Sequence, residues 1–479
     1  MDHSTGPNNR HRRRPEAGTF IDPRALTGSM ASYLMPHGPH LLERLRSHHD
    51  WLELRRRSGT LPYSKALTTP ALPEATVLDG SGVPASGVNF GSQDYLSLSS
   101  HPAIRRAAHA AIETMGVHSA GSPALMGNTR QSLNLERLIC HFTGYRHSIV
   151  FPTGWAAGYG VVRALVTPRD HVIIDRLGHA CLQEGARSAT RKITRVAHLD
   201  SGQVEDALRT IRSDDQSAGI LVVTESLFSM DSDTPNLRAL QDLCRQYGAT
   251  LLVDCAHDLG CLGPTGRGAL ETQGMVGQVD ILMGSFSKTF ASNGGFVASN
   301  HPALRSHLRF ASNPQTFSNA MSPVQAAIVA AAFKIVASEE GALRRERLTR
   351  NVRAVRHALS EAGFEVLGSD SPIVPVVLGN TGYSRVFCVE LMRLGALTNL
   401  VEFPAVAQDA SRLRLQVMAD HEPWHIERLV SLMDEARERA ASFVARAFEA
   451  TSEPQRTLPV TTKDAPCVSI STAAGASGP

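Results

Sequence analysis

VDILMGSFSKTFASNGGF, residues 279–296, opens on a nearly continuous apolar run and closes on a turn-forming Asn-Gly-Gly. The run is too short for a helix and has no polar face, the pattern of a strand buried between two layers. Lys288 follows it, set between Ser287 and Thr289 with Phe286 and Phe290 beyond. An amine at the edge of a core is poorly solvated. Desolvation lowers its pKa and suits it to Schiff-base chemistry. Ser285 and Ser287 can donate to a phosphate, and Asn293-Gly294-Gly295 permits the close backbone approach that a buried ligand loop needs. A single lysine in such a stretch is more often structural, so its meaning depends on the rest of the chain.

Runs of the same kind recur upstream: SIVF at 148–151, HVIID at 171–175, GILVVTES at 219–226 and ATLLVDCA at 249–256. Helical stretches such as VEDALRTIR and LRALQDLCRQYG fill several gaps between them. Alternation of this sort predicts an α/β fold, with a mainly parallel sheet joined by right-handed crossovers. After about residue 325 the pattern changes. One long helix (PVQAAIVAAAFKIVASEEGALRRERLTRNVRAVRHALSEAG) precedes the strands IVPVVLG and SRLRLQV and a closing amphipathic helix, WHIERLVSLMDEARERAASFVARAF. These elements predict a smaller α+β domain.

In an open α/β sheet, ligands sit beyond the carboxyl ends of the strands. Asp254 and His257 lie at one such end. A carboxylate there can pair with a pyridine nitrogen and keep it protonated, making the ring a better electron sink, and His257 can bond a phenolic oxygen or substrate. Alone, Asp254 reads equally well as a cap for the next turn. Gly154, after SIVF and Pro152-Thr153, opens a helix whose first amides can take a phosphate, although no GK[ST] follows to make a Walker loop. His179 stands after another strand. A phosphate cradle, a histidine, Asp-x-x-His and then Ser-x-x-Lys form, in combination, a kit for holding pyridoxal 5'-phosphate (PLP).

The spelling of these segments resembles the α-oxoamine synthase family from about Asn89 to His421. SQDYLSLSSHP at 92–102 is similar to the family's S-N-D-Y-L-G segment, and GNTRQSLNLE at 127–136 to its G-T-x-x-x-H-x-x-L-E. ESLFSMDSDTPNL at 225–237, DCAHDLGCLGPTGRG at 254–268, GSFSKTFASNGGF at 284–296 and SRLRLQVMADH at 411–421 match further family segments. The resemblance implies a fold-type I PLP-dependent transferase, aspartate aminotransferase-like, with a large, mainly parallel seven-stranded sheet.

It also implies roles for single residues. Lys288 would carry the internal aldimine and shuttle the Cα proton, Asp254 would pair with the pyridinium, His179 would stack on the ring and His257 would contact its phenolic oxygen. The Gly154 and Trp155 amides with Ser285 would cradle the phosphate, and Ser229 would lie near the cofactor. Arg412 would clamp the amino-acid carboxylate, a task that suits a bidentate guanidinium. Gln93 would lie on the substrate side, where aminolevulinate-type members have Asn. Ser318 and Asn319 would reach the phosphate of a neighbouring subunit in a homodimer. Ser132, Gly158, Cys255 and Asp258 depart from the usual family residues. FPAVAQDAS at 403–411 lacks the family's Pro and Gly. These departures leave the substrate open.

Bulk properties agree with such an enzyme. A length of 479 residues with 42% hydrophobic residues allows a large domain plus a small one. A net charge of +3, with no basic stripe interleaved with aromatics, argues against nucleic acid. Seven scattered cysteines without a CxxC pair argue against structural zinc and disulfides and favour the cytoplasm. No metal site, signal peptide or membrane span is expected. The predicted organisation is a disordered basic tail (1–25), an N-terminal helical segment (26–88), the PLP-binding domain (89–325), the small domain (326–451) and a second disordered tail (452–479). The expected activity is decarboxylative condensation of a small α-amino acid with an acyl thioester, carried on CoA or an acyl carrier protein. The alternatives are another fold-type I enzyme, such as an aminotransferase or aldolase, or a non-catalytic partner subunit.

Overall fold

The computed structural model describes residues 22–452. Most of the two predicted tails therefore lies outside the described residues. Residues 22–25, assigned from sequence to the first tail, form a capped 3-10 turn with Ala25 buried.

The segment 26–88 is only partly helical. Helix α1 (Arg46–Arg57) is followed by the antiparallel strands β1 (Ala66–Leu67), β2 (Glu74–Leu78) and β3 (Pro84–Asn89). The turn between β2 and β3 is fastened by Asp79, whose Oδ1 accepts from the Ser81 and Val83 amides at 2.8 and 2.9 Å. A carboxylate bonding amides just ahead of it is a turn former, and it makes a hairpin where a helix was expected.

Helices α2 (Pro102–Met115) and α3 (Arg130–Thr143) lead into the large domain. Ser132 completes a capping box with Thr129 at the start of α3, which gives that departure from the family pattern a structural task. The large domain then runs β4 (His147–Phe151), α4 (Gly154–Leu165), β5 (His171–Asp175), α5 (Ala180–Ala189), β6 (Ile193–Val196), α6 (Ser201–Asp214), β7 (Ile220–Glu225), α7 (Leu237–Gln246) and β8 (Thr250–Asp254). The short α8 (Gly268–Thr272), β9 (Ile281–Ser285), β10 (Gly295–Ser299), α9 (Pro302–Ala311) and α10 (Asn313–Thr316) complete it.

Its sheet has seven strands in the order β4-β10-β9-β8-β7-β5-β6, and only β10 runs against the others. Side chains alternate between two buried layers. Val150, Ile173, Val222 and Val253 join one apolar core, whereas Ile149, Phe151, Ile174, Val223 and Leu252 join the other under α4 and α5. This double burial is why the strands read as continuous apolar runs.

The long helix expected after residue 325 is two helices, α11 (Pro323–Val336) and α12 (Glu339–Glu361). Ser338 divides them. Its hydroxyl donates to the Ile335 carbonyl at 2.7 Å and accepts the Gly341 amide at 3.5 Å as the cap of α12. The remaining elements are β11 (Ile373–Gly379), α13 (Thr381–Leu394), β12 (Ala396–Leu397), β13 (Leu400–Val401), β14 (Ser411–Gln416) and α14 (Pro423–Ser452). Strand β12 pairs with β3, so the N-terminal hairpin belongs structurally to the small domain. No helix among the described residues is long and apolar enough to cross a membrane.

One buried ion cluster holds α3, β4 and α9 together. Glu136 accepts from Arg309 at 2.9 Å and Arg305 at 2.6 Å, and Arg309 also binds the buried Gln315 at 3.0 Å. Replacing Glu136 by Ala strands a buried guanidinium. The expected cost is about 3 kcal/mol of unfolding free energy, measured by urea titration, with a smaller loss for Glu136→Gln.

Candidate active site

Five strands deliver polar groups to the carboxyl edge of the sheet. After β9 the chain turns through residues 286–294, closed by the Phe286 amide donating to the Gly294 carbonyl at 2.9 Å. Phe286 packs on Phe290 and Phe296 at ring separations of 5.8 and 5.6 Å, so aromatic burial sets where this loop presents Lys288. Burial lowers the Lys288 pKa. Asp254 and Glu225 oppose that shift, and Arg414 reinforces it.

Asp254 is the last residue of β8, and its Oδ1 accepts the Ala256 amide at 2.9 Å. Burial raises its pKa, against the pull of His179 and Lys288. His257 is buried beside it and held neutral, chiefly by desolvation and then by Lys288 and Arg414. Its Nδ1 lies 2.9 Å from the hydroxyl of the buried Tyr95. With that phenol donating to Nδ1, the imidazole proton resides on Nε2.

The phosphate-binding expectation rests on a tight fit. A Cβ on Gly154 would lie 2.5 Å from the Ser285 hydroxyl, so only glycine lets the start of α4 approach that side chain. Ser285 and Ser287 hydroxyls stand 2.8 Å apart. Exposed amides at the helix start, two hydroxyls and no intervening side chain suit a phosphate. Trp155 is 49% exposed, with its ring edge-on to His179 at 6.0 Å. His179 caps α5 through Nδ1, which accepts the Cys181 amide at 3.3 Å, and its own amide donates to Glu225 at 2.7 Å. Packing on its protein side lowers the His179 pKa, Asp254 opposes this and Lys288 adds to it. Its outer side is open to solvent. Ser229 is half-buried in the loop after β7.

The two arginines of β14 part company. Arg412 forms an ion pair with Asp231 and donates to the Met230 carbonyl at 3.2 Å. It is thereby committed to fastening the small domain to the β7–α7 loop, which corrects its expected place as a free carboxylate clamp. Arg414 has no salt bridge among the described residues, and its Nε is buried without a partner. Its charge depresses the pKa of Lys288, His179 and His257, which places it at the site. Gln93, half-buried, is carried by the segment after β3, which bonds to β14 and its continuation through Phe90–Gln416 and Tyr95–Ala419 backbone pairs.

Ser318 and Asn319 are exposed and are not gathered with the other groups of this chain. Around them Leu125, Met126, Phe310 and Phe317 are 71–88% exposed. The strand ends thus bring together Gly154, Trp155, His179, Asp254, His257, Ser285 and Lys288. Sequence reasoning missed Arg414, Tyr95 and Glu225. All three lie inside segments quoted for their pattern, but residue type alone did not separate them from their neighbours.

Residues 85–432 match the model for aminotransferases of class I and II. The chain is 36% identical over 343 residues to the 8-amino-7-oxononanoate synthase of Geobacter metallireducens, covering 71% of this chain and 86% of that one. It is 33% identical over 381 residues to the 2-amino-3-ketobutyrate coenzyme A ligase of Escherichia coli, covering 79% and 94%. The solved structure of SPT with PLP as internal aldimine superposes with a TM-score of 0.79 at 28% identity, covering 84% of this chain and all of that one. The Sphingomonas wittichii serine palmitoyltransferase superposes with a TM-score of 0.78 at 26% identity over the same shares. The chain belongs to the α-oxoamine synthase family of fold-type I, PLP-dependent acyltransferases.

The residues present fit that cofactor: a cradle without a side chain, a buried carboxylate and a desolvated lysine. Borohydride treatment of the PLP-loaded protein should fix the cofactor to Lys288. Lys288→Ala should fold and bind PLP reversibly, and peptide mass mapping that found the label on another lysine would refute the assignment.

Proposed function

We propose that the enzyme joins a small α-amino acid to an acyl thioester, with loss of CO2 and free thiol, to give an α-amino ketone. The observation that carries this reading is the meeting of Lys288, Asp254 and His257 with a guanidinium, Arg414, that has no carboxylate of its own. When bound, PLP supplies the electron sink that withdraws charge from the substrate Cα.

The protein's part is placement of charge and protons. With PLP bound, Asp254 would hold its negative charge for the pyridine nitrogen and His257 would offer Nε2–H to the phenolic oxygen. The start of α4, with Gly154 and Trp155, and Ser285 would hold the phosphate, and His179 would pack on the ring. Arg414 receives the substrate carboxylate as a charge-assisted, bidentate pair, with Gln93 on the same side. With the carboxylate held by Arg414, Lys288 Nζ would be the group that takes the Cα proton. The lowered pKa of Lys288 leaves its amine a free base at lower pH than an exposed lysine. The Cα then bonds to the thioester carbon and the thiol departs. The original carboxylate, now β to a ketone, leaves as CO2, the Cα takes back the proton held by Lys288, and the departing thiolate is protonated from solvent.

A homodimer completes the site in this reading, with Ser318 and Asn319 of each subunit reaching the phosphate of the other. The exposed apolar group of Leu125, Met126, Phe310 and Phe317 supports it, because a patch of that kind marks a contact surface. Backbone bonds from Ala124 to Gln315 and from Ala320 to Gly121 bind the two halves of the patch into one face.

Four measurements test these roles. Asp254→Asn should retain PLP and lose at least about 10²-fold in kcat, since a neutral amide cannot sustain the pyridinium. Arg414→Gln should raise the amino-acid KM about 30-fold, the loss of charge-assisted hydrogen bonds worth about 2 kcal/mol, whereas Arg412→Gln should chiefly lower stability. Equal effects on KM would remove Arg414 from the substrate site.

The amino acid alone should exchange its Cα hydrogen with deuterium oxide and release almost no CO2 until a thioester is added. Rapid CO2 release without thioester would mark a decarboxylase, and conversion of the cofactor to its amine form would mark an aminotransferase. Mixing inactive Lys288→Ala with an inactive Ser318→Ala/Asn319→Ala variant under subunit exchange should restore activity. Heterodimers that remain dead would refute a shared site.

A further inference from the structure

Three adjacent strands of the large sheet, β5, β7 and β8, end on carboxylic acids: Asp175, Glu225 and Asp254. Each is 4–5% exposed. Glu225 is the middle one, in direct register with Asp254 on the neighbouring strand. Two buried carboxylates side by side, as Glu225 and Asp254 are, do not both ionise readily unless each has a cation.

The outer two have theirs. Both oxygens of Asp175 lie 3.0–3.1 Å from Nδ1 of His198, whose Nε2 lies 3.1 Å from Asp233. These two carboxylates hold His198 protonated, with its pKa pushed up to about 10 against burial. Asp254 faces Lys288 and the place of the pyridine nitrogen. Glu225 has no cation of its own among the described residues. Among the described residues its carboxyl group makes one hydrogen bond, accepting the His179 main-chain amide at Oε1 at 2.7 Å.

We propose that Glu225 is a positioning residue that acts as a neutral acid, keeping the site's negative charge on Asp254 and fixing His179 through the amide that its Oε1 accepts. This rests on Asp254 and Lys288 being the cofactor site. Burial, then Asp254, raises the pKa of Glu225 well above the ordinary carboxylate range, and Asp175 adds to this, while the His179 amide and Lys288 oppose it. An ionised Glu225 would repel Asp254 and disfavour the charge that Asp254 needs. The neutral acid avoids that repulsion, and its Oε1 still anchors His179, whose ring is in turn locked by capping α5.

The decisive comparison is Glu225→Gln, which keeps a neutral acceptor of the same reach, against Glu225→Ala, which removes it. Three properties of the PLP-loaded proteins are measured. These are the PLP dissociation constant, the pH midpoint of the visible absorbance of the lysine-linked cofactor, and the infrared carbonyl band of a protonated carboxyl group at neutral pH. Wild type should show a carboxylic-acid band that Glu225→Gln lacks. Glu225→Gln should otherwise match wild type in absorbance midpoint and bind PLP within about threefold, whereas Glu225→Ala should bind PLP about tenfold more weakly, the size of one lost hydrogen bond.

Absence of the acid band in wild type, or a midpoint shift in Glu225→Gln as large as in Glu225→Ala, would overturn the proposal. A wild-type protein that forms no lysine-linked absorbance would instead refute the cofactor assignment. The infrared comparison of that protein with Glu225→Gln would still decide whether Glu225 carries the proton.

Discussion

Both faces of the seven-stranded sheet are buried, and this constraint governs the rest of the molecule. Apart from the edge strand β6, where Thr194 and Arg195 are exposed, polar side chains reach solvent chiefly where strands end. The carboxyl ends are where Asp175, Glu225, Asp254 and Ser285 stand. The chemistry therefore concentrates along one edge, under partial desolvation. Desolvation acts on acids and bases in opposite senses there. It raises Asp254 and Glu225 and lowers Lys288 and His257, so each group's charge depends on its neighbours.

Such an edge needs a second wall, and the small domain supplies it. Arg412 is spent on Asp231 and the Met230 carbonyl, and Ser232 bonds to Ser371 at 2.7 Å, so the loop after β7 is bolted to β14 and to the turn before β11. The segment carrying Gln93 and Tyr95 is held from the other side by backbone bonds to β14 and its continuation. Tyr95 then fixes which nitrogen of His257 faces the site. Much of the hydrogen bonding around the catalytic groups is thus spent on orientation, and the reacting atoms are left with few permanent partners. This is the economy expected of a cofactor enzyme, in which the protein supplies position and electrostatics.

Departures from the family pattern acquire physical meanings in this setting. Asp258 accepts the Ser226 hydroxyl at 2.7 Å and the Ala269 amide at 2.7 Å, joining the end of β7 to the start of α8, and burial lifts its pKa to about 6. Gly158 packs against Cys181 and Met283, where a side chain would collide with the cysteine sulfur. Both lie behind the catalytic groups, so their effect on substrate choice is indirect.

The sequence by itself marked five strands of the large sheet, β4, β5, β7, β8 and β9, their alternation with helices and the polar residues Asp254, His257, Ser285 and Lys288 after them, but not β6 or the antiparallel β10. These follow from local pattern, since a doubly buried strand reads as an apolar run and its last polar residue marks the edge. It did not determine the β2–β3 hairpin, because short half-exposed strands carry a weak periodic signal beside the turn chemistry of Asp79. Nor did it separate the helices α11 and α12, whose break rests on one serine. Above all, Arg412 and Arg414 are two residues apart on one strand and so share a face, and the family resemblance gave the carboxylate to Arg412. Only the tertiary structure distinguished them, by bringing Asp231 from a loop 181 residues away in sequence onto Arg412 and leaving Arg414 free at the site. Glu225 was hidden for the same reason: its significance lies in flanking acids from two other strands, and strand order is a property of the folded sheet.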